Sequence, residues 1–191
     1  KQTHSFTRLL GTDGSASKIR DAIHAQTSSQ HEMSPLGHSY KELCILPDEN
    51  GDYQLDPHAL HIWPRGGYML IALPNQDKSF TVTLFMPTDG EVSFNSLDTS
   101  EKFEAFFAKE FSNALSLMPN VSKDYLENPT GKLATVRCVP WRLNDQALLL
   151  GDAAHAIVPF HGQGMNCGFE DASVLNQILD HHSDNHQDNW D

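Results

Sequence analysis

The stretch GDAAHAIVPFHGQGMNCGFED, residues 151–171, follows directly on the apolar residues 147–150. Those apolar residues are typical of a buried strand, so Asp152 comes just after a strand end. A carboxylate at that point lies at the carboxyl edge of a sheet, where open α/β sheets bind ligands. Asp152 would there either accept hydrogen bonds from the hydroxyl groups of a ligand or cap the turn that follows.

Glycines and a predicted helix follow this aspartate. Gly162, Gly164 and Gly168 carry no Cβ atom, so their backbone can approach a planar ligand closely. We predict a helix over residues 166–179, whose amino end would stabilise an anion such as a phosphate through its unpaired N–H groups. The side chains that this helix is expected to bury are Phe169, Ala172, Leu175 and Leu179.

Bulk composition excludes several classes of protein. A chain of 191 residues accommodates one or two domains. Its formal net charge of −12 argues against binding to nucleic acid or to an anionic membrane surface. The three cysteines form no C-x-x-C pair, so we expect neither a disulfide framework nor a metal site. No apolar run approaches the roughly 18 residues of a membrane-spanning helix.

The middle of the chain has the pattern of an antiparallel sheet, in which short apolar or β-branched runs alternate with turn residues. The predicted strands are 41–46, 60–63, 68–73 and 80–86. Because side chains alternate along a strand, each of the last two strands presents every second residue on one face. The residues in these two sets are Met69, Ile71 and Leu73, and Thr81, Thr83 and Phe85. Apolar residues also occupy alternate positions, so we expect both faces of this sheet to be covered.

Helices and further strands complete a mixed α/β (α+β) fold. A turn at residues 11–14 leads into a short helix that ends at Ile23, and residues 24–37 form a polar connection. Residues 100–117 form the clearest helix, with phenylalanines along the face that we expect to be buried. The remaining predicted strands are 133–139 and 147–150.

Two motifs resemble signatures of the FAD-dependent aromatic hydroxylases, the single-component flavoprotein monooxygenases. Residues 151–171 are similar to the GD motif of that family, and GTDGSASKIR, residues 11–20, resembles its DG motif, G-x-D-G-x-x-S-x-x-R. The stretches YKELCILP, HIWPR and LPNQDKSFT resemble one branch of the family, the kynurenine 3-monooxygenases. The resemblance covers residues 11–179, which is nearly the whole chain.

The resemblance implies a domain organisation and an activity. Residues 1–36 and 141–180 would belong to an FAD-binding domain, residues 37–140 to a substrate-binding sheet with its helix, and 181–191 to a polar tail. Members of the branch hydroxylate L-kynurenine to 3-hydroxykynurenine in tryptophan degradation, with FAD as cofactor, NADPH as reductant and O2 as oxidant. The alternatives are a related hydroxylase for another aromatic substrate and a non-catalytic domain that binds flavin or a partner.

The resemblance also assigns residues to a site. The residues that would bind the cofactor are Asp13, Arg20, Gly151, Asp152, Pro159, Gly162, Gly164, Met165 and Asn166. The residues that would line the substrate pocket are Leu60, Met69, Ile71, Leu73, Thr83, Phe85, Pro159, Phe160, His161 and Gln163. His161 would act either as a general base or as a packing residue. Arg65 is expected to be a solvated residue of a hairpin turn rather than a clamp for a substrate carboxylate, and His155 is expected to be structural.

Some parts of the family pattern have no counterpart in this sequence. We find no G-x-G-x-x-G turn, which the family uses to hold the FAD pyrophosphate, and we expect that turn to precede Lys1. The residues that grip the substrate carboxylate would also lie outside this chain, so we do not expect it to be active alone. The sequence favours a bacterial, cytoplasmic parent, and a eukaryotic parent would be placed at the mitochondrial outer membrane.

Overall fold

The protein is described by a computed structural model that covers residues 3–27, 29 and 31–183. The chain forms two compact units, one from residues 1–35 and 134–191 and one from residues 36–133. We call them unit 1 and unit 2. In chain order the elements are β1 (Leu9–Gly11), α1 (Lys18–Thr27), β2 (His31–Ile45), β3 (His61–Pro64), β4 (Met69–Pro74), β5 (Phe80–Pro87), α2 (Ser100–Glu110), α3 (Ser112–Leu115), α4 (Val121–Glu127), β6 (Gly131–Cys138), β7 (Arg142–Leu143), β8 (Ala147–Leu149) and α5 (Gly164–Ser183).

Unit 1 contains a three-stranded sheet of order β1-β8-β7. β1 pairs with β8 in parallel, with Leu9 opposite Ala147 and Gly11 opposite Leu149, and β7 pairs with β8 antiparallel. Ile23 of α1 packs in a small core with Leu149. Because β1 and β8 run in parallel, their carboxyl ends lie at the same edge of the sheet. The two motifs of the sequence therefore begin side by side, since one follows β1 and the other follows β8.

The second sheet has five strands in the order β3-β4-β5-β2-β6, and β2 and β6 run across the unit boundary in sequence. β3, β4, β5 and β2 pair successively in antiparallel fashion. The prediction of an antiparallel sheet over residues 41–86 is confirmed, as is the mixed α/β fold class.

One face of this sheet is the core face of unit 2. Leu70 of β4 and Leu84 of β5 lie opposite each other and are fully buried. They belong to one hydrophobic cluster with Phe103 and Phe107 of α2 and with Phe111. A fully buried phenylalanine contributes roughly 1.5–3 kcal/mol by burial, so the aromatic stripe of α2 is a major part of this core, as the sequence predicts.

The other face of the sheet is only partly covered. Leu73 at the end of β4 is 53% exposed and Ile62 of β3 is 49% exposed, whereas Phe85 of β5 is 5% exposed. The prediction that both faces are covered is therefore correct for the helix-packed face and wrong for much of the other. The apolar alternation that suggested two covered faces is real, but α2, α3 and α4 supply a layer for one face only.

Two local predictions are wrong. Residues 24–37 are not a polar connection, because α1 continues to Thr27 and β2 begins at His31. The polar residues at the start of β2 extend a strand whose pairing with β5 begins at His38. The helix predicted at 100–117 is broken at Phe111, whose φ of −129° ends α2 and begins α3 while its ring stays fully buried.

The face that α5 turns inward also differs from the prediction. The helix begins at Gly164, two positions before the predicted start, and Phe169 is 64% exposed. Ala172 is exposed as well. A Cβ built on Gly168 would lie 3.8 Å from the Cα of Gly151, so the helix approaches the turn after β8 through glycine rather than through an apolar stripe.

Candidate functional site

Asp13, in the loop after β1, uses its carboxylate to start α1. It accepts hydrogen bonds from Ser17 Oγ at 2.5 Å and from the backbone N–H groups of Lys18 and Ile19 at 2.8 and 3.3 Å. Burial alone would raise the pKa of this carboxyl, but the hydrogen bonds from Ser17 and the two N–H groups outweigh it and hold the pKa below its usual value. Asp13 therefore shapes the loop after β1, because its hydrogen-bonding capacity is used inside the protein.

Arg20 joins the two motif loops of unit 1. Its side chain is 1% exposed, and its guanidinium donates to the carbonyl of Ala153 at 3.0 Å and to the carbonyl of Ser15 at 2.7 Å. Ser15 lies in the loop after β1 and Ala153 in the turn after β8, so one planar group fixes the distance between them. Arginine suits this position because its rigid fork can donate to two acceptors at once.

The turn after β8 is a single 3₁₀ turn, Gly151–Ala153, that begins with a left-handed residue. Gly151 has φ +59°, a conformation that glycine adopts without strain. Its N–H donates to Oδ2 of Asp171 at 2.7 Å, and Nε2 of His155 donates to the same oxygen at 2.7 Å. The ring of Trp141 stacks on His155 with centroids 4.9 Å apart. His155 thus has structural contacts on both sides, in agreement with the role expected from the sequence.

Asp171 is a site residue that the sequence analysis did not select. Its helical spacing could have identified it: Asp171 lies one turn after Gly168 and one turn before Leu175, which places it on the inward face of α5. A polar residue in an inward row usually has a buried partner. Its partner, the Gly151 N–H, lies 20 positions earlier in the chain.

Asp152 has a different environment from its neighbours. It is exposed and forms no hydrogen bond or ion pair with any residue that the structure describes. The alternative that Asp152 caps the following turn is wrong, since the residue at the cap position is Leu150 and no side chain caps the turn. A Cβ built on Gly164 would lie 4.0 Å from Oδ1 of Asp152, so the carboxylate stands beside the first residue of α5.

The loop before α5 exposes its backbone. Pro159–His161 forms a 3₁₀ turn that ends at Gly162, whose φ of +63° lets its N–H donate to the carbonyl of Pro159 at 3.0 Å. No atom would meet a Cβ built on Gly162 within 4 Å, so the space beside it is open. The side chain of Asn166 donates to Oε1 of Gln163 at 2.8 Å. Met165 is 70% exposed.

The remaining predicted residues of this loop have mixed positions. Pro159 is exposed and Phe160 is half-buried. The general-base hypothesis concerned the side chain of His161, which lies outside the part of the chain that the structure describes.

These residues fit the ribityl and ring portion of FAD. The Asp152 carboxylate can accept hydrogen bonds from sugar-type hydroxyls because the described residues do not use it. Gly162 and Gly164 leave room for a flat ring to approach the backbone. The first N–H groups of α5, a helix of 20 residues, point out of its amino end towards any carbonyl or anionic group bound there.

Five of the six predicted substrate-lining residues of unit 2 lie on the partly covered face of its sheet. Met69 lies opposite Phe85 and Ile71 lies opposite Thr83 in the β4–β5 register. Leu60, just before β3, is 52% exposed. The ring of Phe85 packs at a tilt on Tyr40, with centroids 6.1 Å apart. Met69, Ile71, Leu73, Thr83 and Phe85 are thus brought onto one face of the sheet.

Arg65 lies in the hairpin turn that the sequence predicted, where its backbone N–H donates to the carbonyl of Tyr68 at 2.9 Å, but its side chain is half-buried rather than solvated. Its Nε donates to the carbonyl of Glu110 at 2.6 Å, and its guanidinium lies 5.1 Å from the ring of Phe111. Arg65 therefore caps the carboxyl end of α2, where a cation is stabilised by the helix dipole. Its contacts give it a structural role in unit 2.

Lys41 is a second cation that the sequence analysis did not single out. It lies on the core face of β2, 9% exposed, and donates to the carbonyls of Tyr125 at 2.5 Å and Asn128 at 2.9 Å. These carbonyls are at the carboxyl end of α4, so Lys41 caps that helix. Burial lowers the pKa of Lys41, and burial raises the pKa of Tyr125 to about 12.

Over residues 3–27, 29 and 31–183, the structure shows no cluster of three or more potential metal ligands. Among the helices within those same residues, none is long and apolar enough to cross a membrane.

The fold is that of the FAD-binding aromatic hydroxylases. The chain superposes on the crystal structure of 2-methyl-3-hydroxypyridine-5-carboxylic acid oxygenase with a TM-score of 0.72, at 19% sequence identity, over 93% of this chain and 46% of that one. Residues 7–190 match the family described as the FAD binding domain, and the chain belongs to that family.

Curated relatives are more similar in sequence. The kynurenine 3-monooxygenase of Myxococcus xanthus is 55% identical over 171 residues, which are 90% of this chain and 37% of that protein. The kynurenine 3-monooxygenase of Flavobacterium psychrophilum is 51% identical over 175 residues, which are 92% of this chain and 39% of that protein. The chain therefore spans about two fifths of the length of these relatives.

Proposed function

We propose that the full-length protein carrying this chain is an FAD-dependent monooxygenase that hydroxylates L-kynurenine. The reaction consumes L-kynurenine, NADPH, a proton and O2, and yields 3-hydroxykynurenine, NADP⁺ and water. The observation that carries the proposal is the 55% identity to the Myxococcus xanthus enzyme over 90% of this chain, a span that includes both units.

Unit 1 would hold part of the cofactor. Asp152 would accept hydrogen bonds from ribityl hydroxyls, and the backbone from Gly162 to Gly164 would face the ring, with the amino end of α5 stabilising negative charge on it. Arg20 would act indirectly, by holding the turn that presents Asp152. When bound, FAD supplies the redox and oxygen-activating chemistry, and the protein supplies position and electrostatics.

Unit 2 would supply an apolar surface for the substrate ring. Met69 and Phe85 lie opposite each other in adjacent strands, so their side chains are neighbours on one face and would together form part of the surface beneath the ring. Because hydroxylation at one ring carbon needs a fixed orientation, this surface would contribute to rate as well as to affinity. Apolar side chains would also exclude water from the ring.

The proposal is tested with the purified full-length protein. We expect FAD to copurify, and L-kynurenine to stimulate NADPH oxidation with 3-hydroxykynurenine formed, as measured by absorbance at the nicotinamide band and by chromatography. Anthranilate and 4-hydroxybenzoate serve as competing aromatic acids. If one of these acids stimulates NADPH oxidation more than L-kynurenine does and is itself hydroxylated, that acid is the substrate. If the protein binds flavin but oxidises NADPH with none of the three compounds, the enzymatic proposal is refuted.

The role of Asp152 is tested separately. Asp152→Ala removes an acceptor from the ribityl hydroxyls and should weaken FAD binding by about 1–3 kcal/mol. The matched control is Asp145→Ala, which removes an exposed carboxylate from the turn before β8. FAD affinity is measured by flavin fluorescence on titration of the apoprotein. Equal affinity in the two variants would contradict the ribityl role.

A further inference from the structure

The carboxylate of Asp171 makes one connection between α5 and the turn after β8. Its Oδ2 accepts the N–H of Gly151 and the Nε2–H of His155, both at 2.7 Å. The side chain of Asp171 is 14% exposed and that of His155 is 23% exposed, so both groups are largely withdrawn from water. A hydrogen bond between such groups, with one of them charged, is stronger than a neutral one.

The hydrogen bond from Gly151 to Asp171 lies directly beside Asp152, the residue that we propose binds the ribityl chain. Gly151, which donates to Asp171, directly precedes Asp152, whose carboxylate is exposed and has no partner among the described residues. The left-handed φ of Gly151 sets the direction in which the chain leaves the strand. Fixing the Gly151 N–H therefore fixes where the Asp152 carboxylate stands relative to the amino end of α5.

A second contact holds the histidine that shares the carboxylate. The ring of Trp141 stacks on His155 at 4.9 Å, and the indole N–H of Trp141 donates to the carbonyl of Cys138 at 2.9 Å. His155 is thus held on one face by an aromatic ring and at its Nε2 by Asp171. The imidazole orients the carboxylate, and the carboxylate orients the turn.

We propose that Asp171 is a positioning residue for the flavin: with His155 it holds the Gly151–Ala153 turn so that Asp152 meets the ribityl chain. The inference rests on the proposed binding of FAD by unit 1. Asp171 itself does not touch the cofactor in this scheme. It acts through Asp152, so its contribution depends on the presence of Asp152.

The experiment uses the full-length protein and measures FAD affinity of the apoprotein by fluorescence. Asp171→Ala removes the shared acceptor and should weaken FAD binding about tenfold, the effect of roughly one lost hydrogen bond. Asp171→Asn keeps an oxygen that can accept both N–H groups, so it should retain affinity within about threefold of wild type. The control is Glu170→Ala, which removes the adjacent exposed carboxylate of the same helix and should leave affinity unchanged.

A double-mutant cycle separates positioning from general destabilisation. If Asp171 acts through Asp152, adding Asp171→Ala to Asp152→Ala should cost less than twofold further affinity, because the group to be positioned is already gone. Additive losses would overturn the proposal and leave Asp171 as a structural residue only. Wild-type affinity in Asp171→Ala would overturn it too.

Two further outcomes are distinguishable. If Asp171→Ala does not fold, His155→Phe keeps the stacking on Trp141 and removes the Nε2–H, and it should weaken FAD binding about threefold. Wild-type affinity in that variant would overturn the proposal. If the wild-type protein itself binds no FAD, it is the proposed function that fails, and no variant is needed to show it.

Discussion

Replacing Arg20 should destabilise unit 1 strongly, because this side chain is 1% exposed and joins two loops that are far apart in sequence. Arg20→Ala leaves the carbonyls of Ala153 and Ser15 without their donor, and hydrogen bonds from charged groups contribute about 1.5–3 kcal/mol each. The gross loss is therefore about 3–6 kcal/mol.

Part of that loss is offset. A buried guanidinium loses hydration in the folded protein, and the Nε of Arg20 is buried without a hydrogen-bond partner among the described residues. We therefore expect a net loss of about 2–4 kcal/mol in the free energy of unfolding. Arg20→Lys should recover only part of it, since an ammonium lacks the planar fork that reaches both carbonyls.

The assay is urea unfolding of the apoprotein, followed by circular dichroism. Arg137→Ala removes an exposed arginine of β6 and is the matched control, with an expected change within about 0.5 kcal/mol. If the free energy of unfolding of Arg20→Ala lies within about 1 kcal/mol of the wild-type value, the reasoning is refuted, because at least one of the two carbonyls must then have found another donor or water. A fully stable Arg20→Lys protein would refute the argument from the planar fork.

Three further predictions concern other parts of the chain. Phe85→Leu replaces the aromatic ring that we place against the substrate with a smaller aliphatic side chain. More of the NADPH consumed with L-kynurenine should then end as hydrogen peroxide. An unchanged ratio of 3-hydroxykynurenine to NADPH would remove Phe85 from the substrate surface. Because the pKa of Tyr125 is raised from 10.0 to about 12, its neutral form stabilises the fold below pH 10, and the free energy of unfolding should fall by about 2–3 kcal/mol as pH rises from 10 to 12. Tyr125→Phe should lack that part of the fall, and an identical pH profile would contradict the assignment. Gly11→Ala places a Cβ 2.8 Å from Leu149 and 3.0 Å from Ile19 and should cost about 1–3 kcal/mol, whereas Gly67→Ala meets nothing within 4 Å and should be nearly neutral by thermal unfolding.

The sequence predicted the sheet of unit 2 well because its signals are local. The observed strands β3, β4 and β5 begin or end within about one or two residues of the predicted runs, since apolar alternation and turn residues act within a few positions. The same alternation placed Met69 and Phe85 on one face, and their cross-strand pairing follows from it.

Predictions that depended on distant partners were less successful. The side chain of Arg65 was predicted to be solvated because its acceptor on Glu110 is 45 positions away. Lys41 drew no attention as a buried cation because its acceptors lie 84 and 87 positions away. Neither separation leaves a local pattern, so only the tertiary structure reveals the two helix caps.

The prediction of the cofactor site was incomplete for the same reason, because several of its hydrogen bonds join residues that are far apart in sequence. Residue types and spacing placed Asp152 after a strand and Gly162 before a helix, and both stand there. They could not show that Asp13 and Arg20 use their hydrogen bonds inside the protein, or that Asp171 fixes the turn. The inward row of α5 was predicted only in part: Leu175 and Leu179 are half-buried, whereas Phe169 and Ala172 are exposed and Gly168 and Asp171 face the turn after β8 instead.

The pairing of β1 with β8 has a consequence for the order of folding. Unit 2 is made of consecutive residues, whereas unit 1 is assembled from two segments that Arg20 and Ala153 join across 133 positions. At about 5–20 residues per second of synthesis, β1 leaves the ribosome on the order of ten seconds before β8. We therefore expect a truncated chain that ends just after β6 to protect residues 36–133 from protease while β1 and α1 are still cleaved. During that interval β1 lacks its parallel pairing with β8, the pairing that the described residues show.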